Sequence, residues 1–519
     1  SNPHPAPRDS VASRGLGDVY KRQGPPLSNI SPQPNIVFLF PDQMRSDFLS
    51  CYGADFIETP NIDSLARNGT LYRNAYSASP ICVPARTALL TGMNAVRNGV
   101  TDNDHSIRGD YNDVGIRTWP QLLADEGYYT AAIGKMHFYP WDSRHGFQYR
   151  VIAEDKRWLH IRDDYYHYLH NRGLRKFHGR EHDEYVQNKG AIINRLNWED
   201  TVDRFVGREA VNFIENHGSE GPFAMMVGFP GPHCPYDPAP DFPETFDPEC
   251  MPASIPSVAG DAPGVLEYSI NLNRGEWNGI DYTDFPEAAK RKIRAHYAAL
   301  VKAIDYEVGQ IVQALHDQGL LENTLIILSS DHADYLGDHD LIGKTSFYET
   351  CMRIPMIVQG PGIPSGHTVD GLVELRDVTT TILSATGVST PAHMDSRPLP
   401  YVGLTDEPPR ENIFGMLTIG WMNYDGRWKL CRYENGDATL FDLQADPHEQ
   451  VNLVADPSSA SVVNRLDKEL SQEIMKSLRY VVHDRLAQAG NMSQDPGFGR
   501  EGWKGPWPSL ISAVEDHVR

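Results

Sequence analysis

The chain has 519 residues, 40% of them hydrophobic and 22% charged, a composition ordinary for a globular protein able to bury a large core. Lys and Arg total 47 against 69 Asp and Glu; the formal charge of -22 argues against nucleic acid or an anionic membrane surface as partner. It leaves an anionic small substrate possible only in a locally positive pocket, because charges beyond about 8 Å are screened at physiological salt. Six cysteines without a C-x-x-C pair argue against a disulfide scaffold or thiolate zinc site, and no run approaches the roughly 18 apolar residues of a membrane span.

Residues 1–33 show neither a signal-peptide pattern nor core periodicity, and 13–23 resemble translated sequencing-adaptor read-through more than native protein. A non-native or disordered leader is expected there. The run 35–40 is short and apolar, as in a strand buried on both faces, and ends in Pro41-Asp42-Gln43. A capped helix is expected over 60–69. Pro84 then suits a first helical turn, which places Cys82 at a helix N-terminus, where the local field lowers a thiol's pKa. Taken alone, a buried structural thiol is the simpler reading of Cys82.

A helix over 118–126 ends at Gly127, and 128–134 reads as a second buried strand delivering Lys135 and His137. Residues 154–198 form a polar, aromatic insert whose first part, 154–190, holds eight Lys or Arg, seven Asp or Glu and five His. Charges so nearly balanced predict a solvated surface, with the gripping of a polar substrate as the functional alternative. A helix over 200–216 precedes a third apolar run, 223–229, which leads to His233. Residues 234–285, rich in Pro, Gly and Asp, predict a long, largely irregular excursion.

The clearest helix spans 287–318, with Ile293, Tyr297, Val301, Ile304, Val308, Ile311 and Leu315 on one face. A fourth apolar run, 324–330, ends in Asp331-His332; Lys344 follows, then a fifth strand candidate at 355–358 and a helix over 376–386. From about 409 the segments shorten and alternate, at 428–433 and 439–443, around the turn signal Asn435-Gly436. They predict a small antiparallel sheet under a helix at 461–488. The expected architecture is α/β: a large, mainly parallel mixed sheet flanked by helices over 34–400, a smaller antiparallel sheet plus helix over 401–490, and an extended tail over 491–519.

Four times an apolar strand candidate runs straight into polar side chains: Asp42-Gln43, Lys135 with His137, His233, and Asp331-His332. Each cluster alone is explained by a turn, a cap or a solvated charge. In a parallel sheet, however, ligands sit beyond the carboxyl ends of the strands, so all four share one end. Asp42, Gln43, Asp331 and His332 supply donors for one divalent cation. Arg86, Lys135, His137, His233 and Lys344 supply donors for a compact tetrahedral oxyanion.

Cys82-Val83-Pro84-Ala85-Arg86 resembles the C-x-P-x-R signature of the type I sulfatases of the alkaline-phosphatase-like superfamily. The four clusters, in order, and the segment from Leu440 to Leu453 look like that family's other landmarks. The resemblance implies that a formylglycine-generating maturation enzyme oxidises Cys82 to formylglycine, whose hydrate attacks sulfur. One hydroxyl of the gem-diol takes the sulfate and the other later expels it. It also implies that Asp331 activates the attacking hydroxyl, Lys135 and Lys344 hold sulfate, and His137 assists hemiacetal breakdown. His233 would protonate the leaving group and Arg86 support the aldehyde. Asp42, Gln43, Asp331 and His332 would hold one divalent cation, calcium by preference, with manganese or magnesium as alternatives. The implied substrate is a sulfated carbohydrate or other small sulfate ester, and the implied location is periplasmic or secreted.

Three positions depart from the family pattern: Gln43 where Asp is frequent, His332 where Asn is common, and Ala85 where Ser is commonest. The Asp-Gln pair looks like the choline-sulfatase and phosphonate-ester-hydrolase branches. A phosphonate or phosphate ester hydrolase is therefore the first alternative, and a non-catalytic anion-binding homologue that keeps the Cys82 thiol is a remote one.

Overall fold

The computed structural model describes residues 33–485 apart from 219, 258–262, 276–277 and 406. The expected leader, except Gln33, and the expected tail therefore lie outside the described residues, as does the end of the helix expected over 461–488.

Nine strands build the large sheet: β1 (Asn35–Leu39), β2 (Thr70–Tyr76), β3 (Tyr129–Gly134), β4 (Tyr149–Ile152), β5 (Phe223–Gly228), β6 (Thr324–Ser329), β7 (Arg353–Ile354), β8 (Met356–Gln359) and β9 (His367–Glu374). Their order is β4-β3-β5-β1-β6-β8-β2-β7, with β9 paired to β2. The run β4-β3-β5-β1-β6 is parallel throughout. The fifth strand candidate is β8, which runs antiparallel to β6. Four strands, β2, β4, β7 and β9, were not expected from the sequence; they carry polar or exposed residues, or are too short to show a continuous apolar run.

Helices cover both faces: α1 (Pro60–Arg67), α2 (Cys82–Thr91), α3 (Ala95–Asn98), α4 (Trp119–Asp125), α5 (Asp164–Asn171), α6 (Val202–His217), α7 (Pro263–Arg274), α8 (Glu287–Asp317), α9 (Glu349–Met352) and α10 (Asp377–Ala385). Successive residues of β1 point to opposite cores, as the two-residue period of a strand requires. Val37 and Leu39 join Phe205 of α6 and Ile293, Val301 and Val308 of α8. Ile36 and Phe38 join Leu89 of α2, Leu123 of α4 and Ile382 of α10. Each such fully buried aliphatic or aromatic side chain contributes about 1.5–3 kcal/mol. Where α6 crosses α8, Gly207 lets Glu307 in: a Cβ at 207 would stand 1.9 Å from Glu307 Oε2.

Strands β10 (Ile413–Leu417), β11 (Gly420–Tyr424), β12 (Trp428–Tyr433) and β13 (Ala438–Asp442) form an antiparallel meander. Helix α11 (Ala460–Arg485) covers it, Leu466 packing with Leu430 and Leu440. Gly436, with φ 91°, makes the expected turn between β12 and β13. The described part of the excursion 234–285 is largely irregular, as expected, but α7 forms within it and buries Val265. No helix among the described residues is long and apolar enough to cross a membrane.

Candidate active site

The four strands that end in the polar clusters are immediate neighbours in the order β3-β5-β1-β6. Residues separated by up to hundreds of positions in sequence therefore meet at the carboxyl ends of adjacent parallel strands. Gly134 and Gly228 face one another across β3 and β5. A Cβ on Gly134 would lie 2.1 Å from the Gly228 carbonyl oxygen, and one on Gly228 would lie 2.1 Å from that of Lys135, so the close approach that sets Lys135 needs glycine twice.

Cys82 is the first residue of α2 and is 1% exposed. Ile81 provides no side-chain cap; instead Asn103 Oδ1 accepts the N–H of Val83 at 3.0 Å. Burial opposes ionisation of the Cys82 thiol. Lys344 and His332, followed by hydrogen bonds from His137 and His233, outweigh it and hold the pKa well below the ordinary thiol value.

Arg86, one turn further along α2, ties the two carboxylates together. Its Nη2 lies 3.0 Å from Asp42 Oδ2 and 2.9 Å from Asp331 Oδ2. Nη1 donates to the Lys135 carbonyl at 2.9 Å, and the guanidinium stands 4.9 Å over the Phe40 ring. Lys135 Nζ is 2.8 Å from Asp42 Oδ2 and 3.4 Å from Asp155 Oδ2. Burial and the Cys82 thiolate work against the Asp42 carboxylate, but Lys135, His233 and Arg86 prevail and lower its pKa. Burial and the neighbouring Asp42 raise that of Asp331, so the second negative charge of the pair is the costly one.

Gln43 has φ 68°, a left-handed conformation for a non-glycine residue. Its N–H donates to Asp331 Oδ1 at 2.9 Å, and Tyr297 of α8 donates to its carbonyl at 2.7 Å. Its Nε2 donates to Asp334, which turns Oε1 toward Lys344 Nζ at 3.0 Å. His332 donates Nδ1–H to the Ala333 carbonyl at 2.9 Å, leaving Nε2 3.3 Å from Cys82 Sγ. Burial lowers the His332 pKa, but Asp331 and the Cys82 sulfur raise it further than burial lowers it.

Donor atoms of Asp42, Cys82, Asp331 and His332 lie within 4.8 Å of one another, and Asp42 Oδ1 is buried without a hydrogen-bond partner. Two carboxylates and an imidazole nitrogen, with one carboxylate oxygen orphaned, fit a divalent cation, while the Gln43 amide oxygen accepts from Lys344 Nζ.

His233 donates Nδ1–H to the Cys234 carbonyl at 2.8 Å, and Lys344 Nζ donates to its Nε2 at 2.7 Å. Burial, then Lys344, Arg157 and Lys135, pushes the His233 pKa down to about 3. The ring is neutral at physiological pH, and the proton on its Nε2 side belongs to Lys344. Burial lowers the Lys344 pKa, but Cys82 and Asp42 together raise it above the usual value. His137, with φ 57°, stacks edge-on against Trp158 at 4.9 Å and leaves Nδ1 buried without a partner.

All ten residues singled out from the sequence thus fall in one cluster. The expectation that 154–190 is a solvated surface is corrected: Glu154, Asp155, Arg157, Asp163 and Lys176 are buried. Arg157 donates to Asp155 at 2.8 Å through Nε, and Asp155 in turn faces Lys135. These residues and Asp334 are the part of the site the sequence reading missed. The signal for the first group was β4 itself, a fifth parallel strand running directly into polar side chains.

The family model described as Sulfatase matches residues 34–388. The choline-sulfatase of Rhizobium meliloti is 29% identical over 453 residues, covering 82% of this chain and 83% of that protein. The N-acetylglucosamine-6-O-sulfatase of Bacteroides thetaiotaomicron is 26% identical over 521 residues, covering 86% of each. Among solved structures, the phosphonate monoester hydrolase of Agrobacterium radiobacter superposes with a TM-score of 0.75 at 22% identity, covering 86% of this chain and 96% of that one.

Proposed function

Because the chain belongs to the sulfatase family, an enzyme family that hydrolyses sulfate esters, we propose that it removes sulfate from a sulfated carbohydrate at position 82. The observation that carries this reading is the ring of buried Arg86, Lys135, His233 and Lys344 and half-buried His137 around Cys82 at the N-terminus of α2. Such a ring of donors suits the equatorial oxygens of a tetrahedral oxyanion. The carbohydrate preference is supported by likeness to the Bacteroides enzyme named for N-acetylglucosamine-6-O-sulfate chemistry. An exported location and a maturation enzyme acting on Cys82 belong to the same reading.

Matured to formylglycine, position 82 would supply a hydrated aldehyde as nucleophile, and a divalent cation held by Asp42, Gln43, Asp331 and His332 would supply Lewis-acid polarisation. The chain's own side chains do the rest. Asp331 takes the proton of the attacking hydroxyl, its affinity for that proton raised by burial and by Asp42. Lys135 and Lys344 bind the sulfuryl oxygens, and Arg86 bridges the two carboxylates, its charge easing their mutual repulsion. The proton for the leaving oxygen comes from the Lys344–His233 pair, in which Lys344 is the holder. His137, with Nδ1 free of protein partners among the described residues, accepts the proton in the step that releases sulfate.

A second reading is hydrolysis of choline sulfate or of phosphonate or phosphate esters, favoured by the Asp42-Gln43 pair and by the choline-sulfatase and phosphonate-hydrolase likenesses. Side-by-side turnover of N-acetylglucosamine 6-sulfate, an aryl sulfate, choline sulfate and a phosphonate monoester separates the readings. Faster turnover of choline sulfate or the phosphonate overturns the first. Peptide mass spectrometry across 77–97 reads the state of Cys82, and a thiol retained after expression with a maturation enzyme favours a non-catalytic anion binder.

A further inference from the structure

The insert that follows β4 reaches beneath the catalytic turn. Glu154 is 0% exposed. Its carboxylate accepts the backbone N–H of Met136 at 3.2 Å and that of His137 at 3.3 and 3.1 Å. These two N–H groups lie just past β3, where Gly134 and His137 both have positive φ, 94° and 57°. A turn of that shape has left the sheet ladder and needs an acceptor from elsewhere. The Lys135–Met136 peptide is held at its other end as well, Arg86 Nη1 donating to the Lys135 carbonyl at 2.9 Å.

Glu154 is itself anchored. Its N–H donates to Asp163 Oδ2 at 2.9 Å, and Lys176 Nζ holds Asp163 at 2.8 Å. Four residues on, Trp158 closes edge-to-face on the His137 ring. The insert therefore grips both the backbone and the ring of His137 from a buried position.

We propose that Glu154 is a positioning residue: by accepting the N–H groups of Met136 and His137 it sets the left-handed turn that aims Lys135 and His137 at position 82. The insert governs turnover through this carboxylate without touching the ester. The roles of Lys135 and His137 rest on the sulfatase reading; the placement of the turn does not.

Glu154→Gln keeps an acceptor oxygen, whereas Glu154→Leu keeps the bulk and removes it. Outer-shell partners of functional groups typically matter 10–100-fold. The expected result is a kcat loss of about 30-fold in Glu154→Leu at nearly constant KM, and recovery to within about threefold in Glu154→Gln. In a His137→Ala background Glu154→Leu should cost less than it does alone, since the part of its effect that runs through His137 is already lost and only the part through Lys135 remains. Amide hydrogen exchange over 135–138, read by mass spectrometry, should quicken in Glu154→Leu and not in Glu154→Gln. Unchanged exchange and kcat in Glu154→Leu, additive losses in the double variant, or a Glu154→Leu chain that does not fold would each overturn the proposal. Quickened exchange in a chain whose wild type hydrolyses no sulfate ester would uphold the placement and sink the sulfatase reading instead.

Discussion

Lys344 Nζ stands 2.7 Å from His233 Nε2, so the ammonium and the imidazole share one proton, held by lysine. Burial and the lysine charge leave His233 with a pKa of about 3. Lys344→Gln should cost about two orders of magnitude in kcat, the usual worth of a general acid. The same change should raise the His233 pKa, because its second-largest depressing influence is gone. Proton-exchange or imidazole-shift titration would check this, and a His233 that still titrates near 3 would show the lysine charge to be irrelevant to it.

Asp331→Asn removes the group proposed to take the nucleophile's proton while keeping shape and an acceptor oxygen. Turnover should fall by about 10²–10⁴ with the unfolding midpoint little changed, since Arg86 retains Asp42 at 3.0 Å. Near-normal activity in a folded variant would remove Asp331 from the reaction.

Chelation followed by metal titration tests the donor set. A cation at 100 times its Kd should stabilise the folded chain by about 2.7 kcal/mol, read as a concentration-dependent melting shift. His332 contributes an imidazole nitrogen where calcium prefers oxygen, so His332→Asn should move preference from Mn²⁺ toward Ca²⁺. An unchanged ratio of the two affinities would mean that His332 is not a ligand.

Glu307, wholly buried between α6 and α8, has its pKa raised to about 7. Burial is the main cause, and Arg204 at 3.0 Å recovers only part of the loss. Burial works against the Arg204 charge as well, but Glu307 raises the guanidinium's pKa above its usual value. A folded-state pKa above the unfolded value means the folded chain binds the proton more tightly. The stabilisation is complete below about pH 4.3 and is lost as pH rises through about 7, a fall on the order of 3 kcal/mol. Glu307→Gln mimics the protonated side chain and should flatten that decline between pH 5 and 8 in denaturant unfolding. Parallel pH profiles for variant and wild type would disprove it.

The main strands and helices were legible where physics leaves a dense signal. The runs 35–40, 223–229 and 324–330 are apolar because β1, β5 and β6 are covered on both faces, and their polar ends follow from the parallel sheet. Strand β2, with Arg73 exposed and Asn74 half-buried, offered no such run, and α7 was hidden among glycines and prolines. Glu154, Asp155 and Arg157 escaped because opposite charges that pair in the interior leave the same composition as charges that face water. Asp334 was in view beside Asp331, but its partners Gln43 and Tyr236 lie on other strands' loops, a relation only the fold supplies.

Cys82, 1% exposed, has His332 against its sulfur although 250 residues of chain separate them. The groups that enclose it are therefore still unmade, or not yet docked, long after residue 82 itself has been synthesised. Any catalyst that oxidises this sulfur works against a clock set by the closing of β6 beside β1. Were position 82 matured in this way, slowing the folding of the second half of the chain would lengthen that interval, and the fraction of competent molecules would be decided by biosynthetic timing before it is decided by chemistry.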